Sequence, residues 1–570
     1  MKDAAASAIY GARGANGVVI VTTKQGKRGA DAVVTLDSRW GTNSRAIPNY
    51  DVMTDPGMYY ETFYRGLYNS KVHAGQSAAA GHEYAQTVLL DPDNGGLGYQ
   101  VYTIPDGEYL VGTNFKLNPN ATLGYSDGDY YYTPDDWYDE LFDTANLRQE
   151  HNISVSGSSD KMTYYLSAGY LDDSGIIDGS GFTRYTARAS TDYQAKEWLK
   201  VGGNIGYTNY NLQAPPGQSD WGSSGNLFYT SNLIAPIYPM YVRNADGSIR
   251  KDSRGITVYD FGTSTNASRP FMGLSNPGIT MKLNQHNALT DVLNSKWYGV
   301  ISIIEGLQFT TNLGVNVRNS RTSRLYNPYY GSAASDEGQV SVTSDRTIGI
   351  TQQYLLSYKF DVGVSNFDLL AGFESYDLKL QNLYVFNRQL YNPSIGEIGN
   401  AVYADPNVDS YTDNYLTHGF LGRIQYDYDS RIYASASFRR DASSRFAPEN
   451  QWGNFGSVGG AWLISKEGFF ENLNASWIDL LKLKASYGMQ GNDNLIFQGE
   501  TNYYPYLDQY EVFNSDGDFA TSLYYKGNRD ITWETSHSFN FGVEFSLLRD
   551  RIVGSAEYFT RKTSDLLYYQ

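Results

Sequence analysis

Cysteine is missing altogether from the 570 residues. That excludes disulfides, thiolate zinc centres and iron–sulfur clusters. Positive charge is scarce: 44 Lys and Arg stand against 61 Asp and Glu, a formal net charge of -17. This argues against nucleic acid as a partner, because a phosphate-binding surface needs clustered basic side chains. No run approaches the ~20 apolar residues of a membrane helix. The start, "MKDAAASAIYG", has an acid at Asp3 and lacks the apolar core of a signal peptide. The 6 histidines (His73, His82, His151, His286, His418 and His537) show no HExxH or other ligand spacing, so no zinc site is expected. What the chain does have is 51 Tyr and 57 Gly, with aromatics at 15%. That is far too aromatic for a disordered chain.

Period-two alternation dominates the rest. In "LQFTTNLGVNV", Phe309, Leu313, Val315 and Val317 share a face opposite Gln308, Asn312 and Asn316. In "SFNFGVEFSL", Phe539, Phe541, Val543 and Phe545 oppose Asn540, Gly542 and Glu544. The clearest hairpin is "FLGRIQYDYDSRIYASASFRRD", with Phe420, Ile424, Tyr426 and Tyr428 entering and Ile432, Ala434, Ala436 and Phe438 leaving. Strands of a soluble sandwich average about 5–6 residues; these run longer, which suits the roughly 9–11 residues of a membrane-spanning barrel strand. About fifteen such strands are expected.

The links between them alternate in length. Short ones fall near Ser158–Asp160, Gln194–Glu197, Glu305–Gly306, Asp361–Val364, Asp429–Arg431 and Arg549–Asp550. Long ones fall near Thr42–Ala145, Asn211–Gln285, Ser320–Asp345, Gln381–Asn414 and Gly491–Thr532. The exceptions are Asp172–Gly181 and Lys466–Trp477. Short periplasmic turns and long outer loops are the habit of an outer-membrane barrel. Lipid then meets Phe309, Leu313, Val315, Phe541, Val543 and Phe545, while Gln308, Asn312, Asn540 and Glu544 line the lumen.

The stretch "AIYGARGANGVVIVTTKQG" differs. Its glycines follow an expected helix (Asp3–Tyr10) and open a strand (Gly17–Thr23), the reverse of a dinucleotide fingerprint. The strand is apolar on both faces and so belongs inside a small α/β unit. With its flanks, "KDAAASAIYGARGANGVVIVTTKQGKRG" resembles the plug exit of the SusC/RagA family of TonB-dependent outer-membrane transporters, carried by Tyr10, Gly11, Arg13, Gly14, Asn16 and Gly17. "RRDASSRFAPENQWGNFGSVGGAWLISKEGFF", "WIDLLKLKASYGMQGN" and "WETSHSFNFGVEFSLLRDRIVGSAEYFTRKTSDLLY" resemble its barrel, through Arg440, Asp441, Ser443, Ser444, Arg445, Phe446, Trp462, Gly491 and Asn492. Gly456 stands where the family usually has proline, a departure expected to loosen one strand end.

The resemblance implies an all-β fold: a transmembrane antiparallel β-barrel with an α/β plug remnant at the N-terminus. Residues 1–29 would end the plug and residues 30–570 would form a partial barrel. Such barrels close at about 22 strands, so roughly seven would be absent and the chain would be an internal fragment with an open wall. It also implies import of a large nutrient, an oligosaccharide or a peptide, with no cofactor and no covalent chemistry. The expected partners are outer-membrane lipids of a Gram-negative bacterium, a SusD-like surface lipoprotein as lid, and the TonB complex, through a TonB box not found in this chain.

Long outer loops normally carry binding residues. "DWYDELF" and "SDWGSSGNLFYT" mix aromatics with polar groups, making Trp137, Tyr138 and Trp221 candidate substrate contacts; packing within the loops is the competing reading. "DPDNGG", "SDGDY" and "SDGDF" lack the closing Glu of a calcium loop and read as turns. Asp135 and Asp136 could pair for glycoside hydrolysis, but nothing fixes their separation. Lys24, Lys27 and Arg28 read as a solvated linker. A passive porin or adhesin barrel would lack the Gly11–Thr23 stretch, and a secreted glycan-binding protein would lack the alternation of link length.

Overall fold

The structure is a computed structural model that describes residues 11, 24–26, 29, 31–46, 50–142, 146–215, 225–270, 276–331, 333–402, 407–473 and 475–569. The expected helix Asp3–Tyr10 and strand Gly17–Thr23 lie outside the described residues, as do Lys27 and Arg28.

Fifteen strands form one sheet in strict sequence order, each antiparallel to the next. They are β1 (Val33–Gly41), β2 (Arg148–Ser158), β3 (Met162–Ser174), β4 (Gly181–Lys196), β5 (Leu199–Gln213), β6 (Gln285–Ile304), β7 (Leu307–Tyr326) and β8 (Gln339–Val362). Then come β9 (Ser365–Arg388), β10 (Asn407–Tyr428), β11 (Ile432–Ser443), β12 (Trp452–Leu463), β13 (Ile478–Asn492), β14 (Glu534–Leu547) and β15 (Ile552–Ser564). Among the described residues the outer edges of β1 and β15 have no strand partner, so the wall is open.

Two of the expected long links are shorter than the alternation suggested. β7 runs on to Tyr326 and β8 begins at Gln339; β9 runs to Arg388 and β10 begins at Asn407. At about 3.3 Å per residue these strands outreach the hydrocarbon layer. Beyond it both faces meet water, so the apolar face that marks a strand in sequence stops while backbone pairing continues.

The inner turns are tight because their residues tolerate left-handed backbone. Gly306 (φ +74°) needs to be glycine twice over, since a Cβ there would stand 1.9 Å from the Lys359 carbonyl. Gly456 pairs with Phe438 on β11, and the ladder from β12 to β13 begins one residue later, at Ser457.

The first and third outer links carry most of the non-strand structure. The first holds α1 (Pro56–His73), capped by Asp55, then α2 (Ala78–Val88), capped by Ser77, and α3 (Trp137–Leu141). The third holds α4 (Leu227–Leu233) and α5 (Pro277–Leu283). The two links share their cores. Tyr60, Tyr64, Leu97 and Tyr99 pack with Ile237 and Tyr238, and Trp137, Leu141 and Phe142 pack with Leu227, Met240 and Ile279. They form one folded body outside the wall.

Candidate functional site

Polar side chains of alternate strand positions line one face of the sheet, and two cavities of about 1000 Å³ and 280 Å³ open on it. Asn312 donates to Gln353 (3.3 Å) and Gln353 donates to Glu374 (2.5 Å). Glu374 pairs with Arg439 (3.1 Å), whose Nε donates to Asp441 (2.6 Å). This hydrogen-bonded line crosses β7, β8, β9 and β11 on the concave face. Lys482, Lys484, Glu544 and Glu557 make a second lattice across β13, β14 and β15. Asn312, Asn540 and Glu544 therefore stand on the concave face. The alternation puts Phe309, Leu313, Val543 and Phe545 on the convex one.

Gly11 is the described residue of the plug-exit motif; Tyr10, Arg13, Gly14, Asn16 and Gly17 lie outside the described residues. It is buried with φ +66°, and a Cβ on it would fall 2.6 Å from Arg439 Nε. A second glycine faces the same guanidinium from β10: a Cβ at Gly419 would stand 2.4 Å from Asp441 and 2.6 Å from Arg439. Arg439, 6% exposed, lies against both glycines.

The barrel-motif residues knit the outer rim. Ser443 Oγ (2.6 Å) and the Tyr415 hydroxyl (2.7 Å) donate to one oxygen of Asp493, and Arg445 donates to the other (3.1 Å). The Arg445 guanidinium lies over Tyr415 and Tyr503. Ser444 exchanges bonds with the backbone of Leu416, and Phe446 packs against Trp533. Gly491 leaves room for the Phe455 ring, and Asn492 donates to Glu534 (3.2 Å). Arg440 covers Trp452 on the convex face, and Trp462 Nε1 donates to Glu467 at the inner end. Sequence reasoning missed Glu374, Tyr415 and Asp493. The signal was a lone acid or tyrosine on the polar face of a strand or just past its end.

The loop candidates are placed less favourably. Trp137 is 4% exposed, and its Nε1 donates to the Tyr238 carbonyl (2.9 Å). Its ring is inside the loop core with no face free to stack on a sugar. Tyr138 is half-buried and stacks on Phe142. Trp221 lies outside the described residues.

Asp135 and Asp136 do not form a hydrolytic pair. Asp135 accepts the backbone N–H of Met240 and Tyr241 and binds Arg243, while Asp136 caps α3. Asp127 in "SDGDY" accepts from the N–H groups of Asp129 and Tyr130, the Tyr132 hydroxyl and Asn266; it closes a turn. Asp91 closes another, as the cap of a short 3-10 turn.

Charge is buried within the outer body. Tyr99 donates to Asp260 (2.7 Å). Burial pushes the Tyr99 hydroxyl and the Asp260 carboxyl up and the nearby Arg269 down. Burial also raises Tyr259, to about 12. The Tyr99–Asp260 bond joins the first link to the third.

No family model matches the chain. Along its full length it is 26% identical to TonB-dependent receptor P3 of Formosa agariphila, covering 49% of that protein. It is 24% identical to TonB-dependent receptor SusC of Bacteroides thetaiotaomicron, covering 50% of it. A solved RagAB peptide transporter superposes on 99% of the chain with a TM-score of 0.74 at 24% identity, covering 58% of that chain. The chain is similar in sequence to TonB-dependent receptors and shares the fold of the RagAB transporter. It spans about half the length of the curated relatives it matches. The shared cores of the first and third links stand at the end of the sheet away from the tight turns.

Proposed function

We propose that this chain forms most of the wall and an outer platform of a transporter that imports a large polar nutrient across the outer membrane of a Gram-negative bacterium. Residues 1–29 end a plug and residues 30–570 form a partial barrel. The observation that carries this reading is the fifteen-strand meander with tight turns at one end and folded loops at the other. Its polar side is concave and its apolar side convex, as a water-filled pore in lipid requires. Gly11 seated on Arg439 supports a plug packed inside that wall.

Energy comes from the TonB complex, which acts on the plug, and a SusD-like lipoprotein closes over the platform. The nutrient is an oligosaccharide or a peptide. The concave side chains are ion pairs and amides, which suits passage rather than bond cleavage. The test is uptake by cells carrying the full-length receptor. Loss of uptake on deleting either the receptor or TonB is expected; uptake that persists without TonB would make the protein a passive pore. Labelling of tags in intact cells checks orientation. A tag between 225 and 270 should be reached, and one at Ser430 should not.

A further inference from the structure

The convex face is sorted by charge. Along the strands β7 to β12 it holds four cations, Arg321, Arg346, Lys379 and Arg440, and one acid, Asp377. All five stand toward the loop end of their strands. From there to the tight turns this face carries no Asp, Glu, Lys or Arg. The concave face of the same strands is different: Asp345, Asp368, Glu374 and Asp441 all lie on it. Arg321, Arg346 and Lys379 are on β7, β8 and β9, in the middle of the sheet and at least six strands from either open edge. Strands added to the wall would join at those edges, and the plug exit packs on the concave side through Gly11. Neither addition covers this surface.

Three of the cations form a diagonal. Arg346 pairs with Asn319, two residues before Arg321, and with Gln381, two residues after Lys379. Neighbours on such a diagonal stand roughly 7–8 Å apart. The apolar band steps the same way, since Val317 on β7 pairs with Ile348 on β8 and Ile348 pairs with Lys379 on β9. The cations therefore follow the border of the band. Trp452 and Trp462 fix its height from one face of β12. Ten residues span about 33 Å of strand and, at a tilt of about 40°, about 25 Å of height, which is that of a lipid-facing apolar band. Tryptophan marks the edges of such a band, and the Arg440 guanidinium lies over Trp452 at the outer one, 5.2 Å from the ring centre.

Arg321 is answered by Glu397 of the link after β9 (2.5 Å). Arg346, Lys379 and Arg440 are exposed and pair with no carboxylate among the described residues. Asp377, two residues nearer the band than Lys379, makes no ion pair with any of them. The amides of Asn319, Gln381 and Asn414 stand at the positions paired with Arg346 and Lys379.

We propose that this belt binds the phosphate groups of a phosphorylated glycolipid in the outer leaflet, with Arg346 and Lys379 closing on one phosphate and Arg440 holding another beside Trp452. The inference rests on the import reading for the orientation of the wall and goes beyond it in naming a second, lipid ligand. A cation is costly inside the hydrocarbon and nearly free at its border. Three that lack a protein acid at that border call for an anion from the lipid side, and anionic headgroups attract such side chains. A guanidinium meets two phosphate oxygens at once, and an ammonium adds a point charge. The neighbouring amides offer hydrogen bonds to sugar hydroxyls, which a glycolipid carries.

The test is equilibrium binding to the purified full-length receptor in a neutral detergent. It needs neither nutrient nor TonB, so its failure and a failure of import are read separately. The probes are lipid A with its phosphates, the same lipid after phosphatase treatment, phosphatidylglycerol and inorganic phosphate. Phosphorylated lipid A should bind about tenfold more tightly than each of the others and weaken with salt. The triple variant Arg346→Gln, Lys379→Gln, Arg440→Gln should lose about tenfold in that affinity. Arg321→Gln, whose charge Glu397 already answers, should lose much less. The gel shift between boiled and unboiled samples checks that each variant folds, and the double variant Arg346→Gln, Lys379→Gln is read if the triple one does not. The proposal is overturned if phosphorylated and stripped lipid A bind alike, if phosphatidylglycerol or inorganic phosphate binds as tightly, or if the folded variant binds lipid A as the parent does.

Discussion

The wall handles charge in two ways. From β8 to β15 the concave face is a lattice of neutralised groups: Lys359 and Arg423 on Asp368, Arg439 between Glu374 and Asp441, Lys482 and Lys484 on Glu544. From β4 to β7, Lys200 pairs with Asp192 and Arg184 lies near Glu150, but Arg188, Lys296 and Arg318 have no carboxylate partner among the described residues. Covering accounts for the pairing of Arg439, while the pairs on Asp368 and Glu544 stand partly in water. Arg439 is buried beneath Gly11, and a charge shut away from water must be paired. Arg188, Lys296 and Arg318 are exposed among the described residues. Where the chain's own Gly11 covers the face, the charge beneath it is paired.

The sharpest way to break this comparison is to delete one arginine from each region in the full-length receptor. Arg439→Leu leaves Glu374 and Asp441 without the cation between them, which costs about 3–5 kcal/mol. Arg188→Leu strands no buried partner and should stay within about 0.5 kcal/mol. The yield of heat-modifiable receptor in outer membranes, followed by denaturant titration, reads both. Equal losses would show that the two regions are the same.

The convex face should make no such distinction. Leu313→Arg on β7 and Val543→Arg on β14 each put a cation into lipid, at about 2–4 kcal/mol near mid-membrane. Asn312→Arg and Asn540→Arg, one residue away on the concave face, should assemble far better. A large difference between β7 and β14 would mean that one of them is not lipid-facing.

A methyl group probes packing in each region. Gly419→Ala drives a Cβ into the Arg439–Asp441 pair, at about 1–3 kcal/mol. At Gly206 the nearest atom, Arg188 Nε, is at ordinary contact distance, and alanine should be neutral or stabilising by up to about 1 kcal/mol. Thermal unfolding of the two variants separates the predictions, and a costly Gly206→Ala would show a tightly packed surface where an open one is claimed.

Much of the wall was legible because a strand in lipid must show an apolar face, and Phe309 to Val317 or Phe539 to Phe545 show one. The ends of β7 to β10 were not, because above the membrane neither face needs to be apolar. The fused outer links were also hidden: Asp135 meets Arg243, and Tyr99 meets Asp260, across more than a hundred residues, and no local pattern encodes that. The aromatic loop signal misled at Trp137 for a physical reason. A tryptophan with a polar edge serves a loop core as well as a binding surface, and here the edge is satisfied by Tyr238. The barrel motif was visible as residues. Its role as a rim clamp needed Asp493, which follows the motif at the end of β13.

The smallest expected effect tests the open region from the other side. Asn316→Asp places a carboxylate two residues before Arg318 on the same face and beside the Asn294 pair. If this part of the face is open to water, the new acid meets only solvated cations, and exposed ion pairs contribute about 0–1 kcal/mol. The melting temperature should then hold or rise slightly. Any gain should fade at about 1 M salt, where the screening length falls to about 3 Å. A loss of several kcal/mol would mean that Asn316 already donates into a closed, fully satisfied network. The two regions of the wall would then be one continuous lattice, and the contrast between them would be lost.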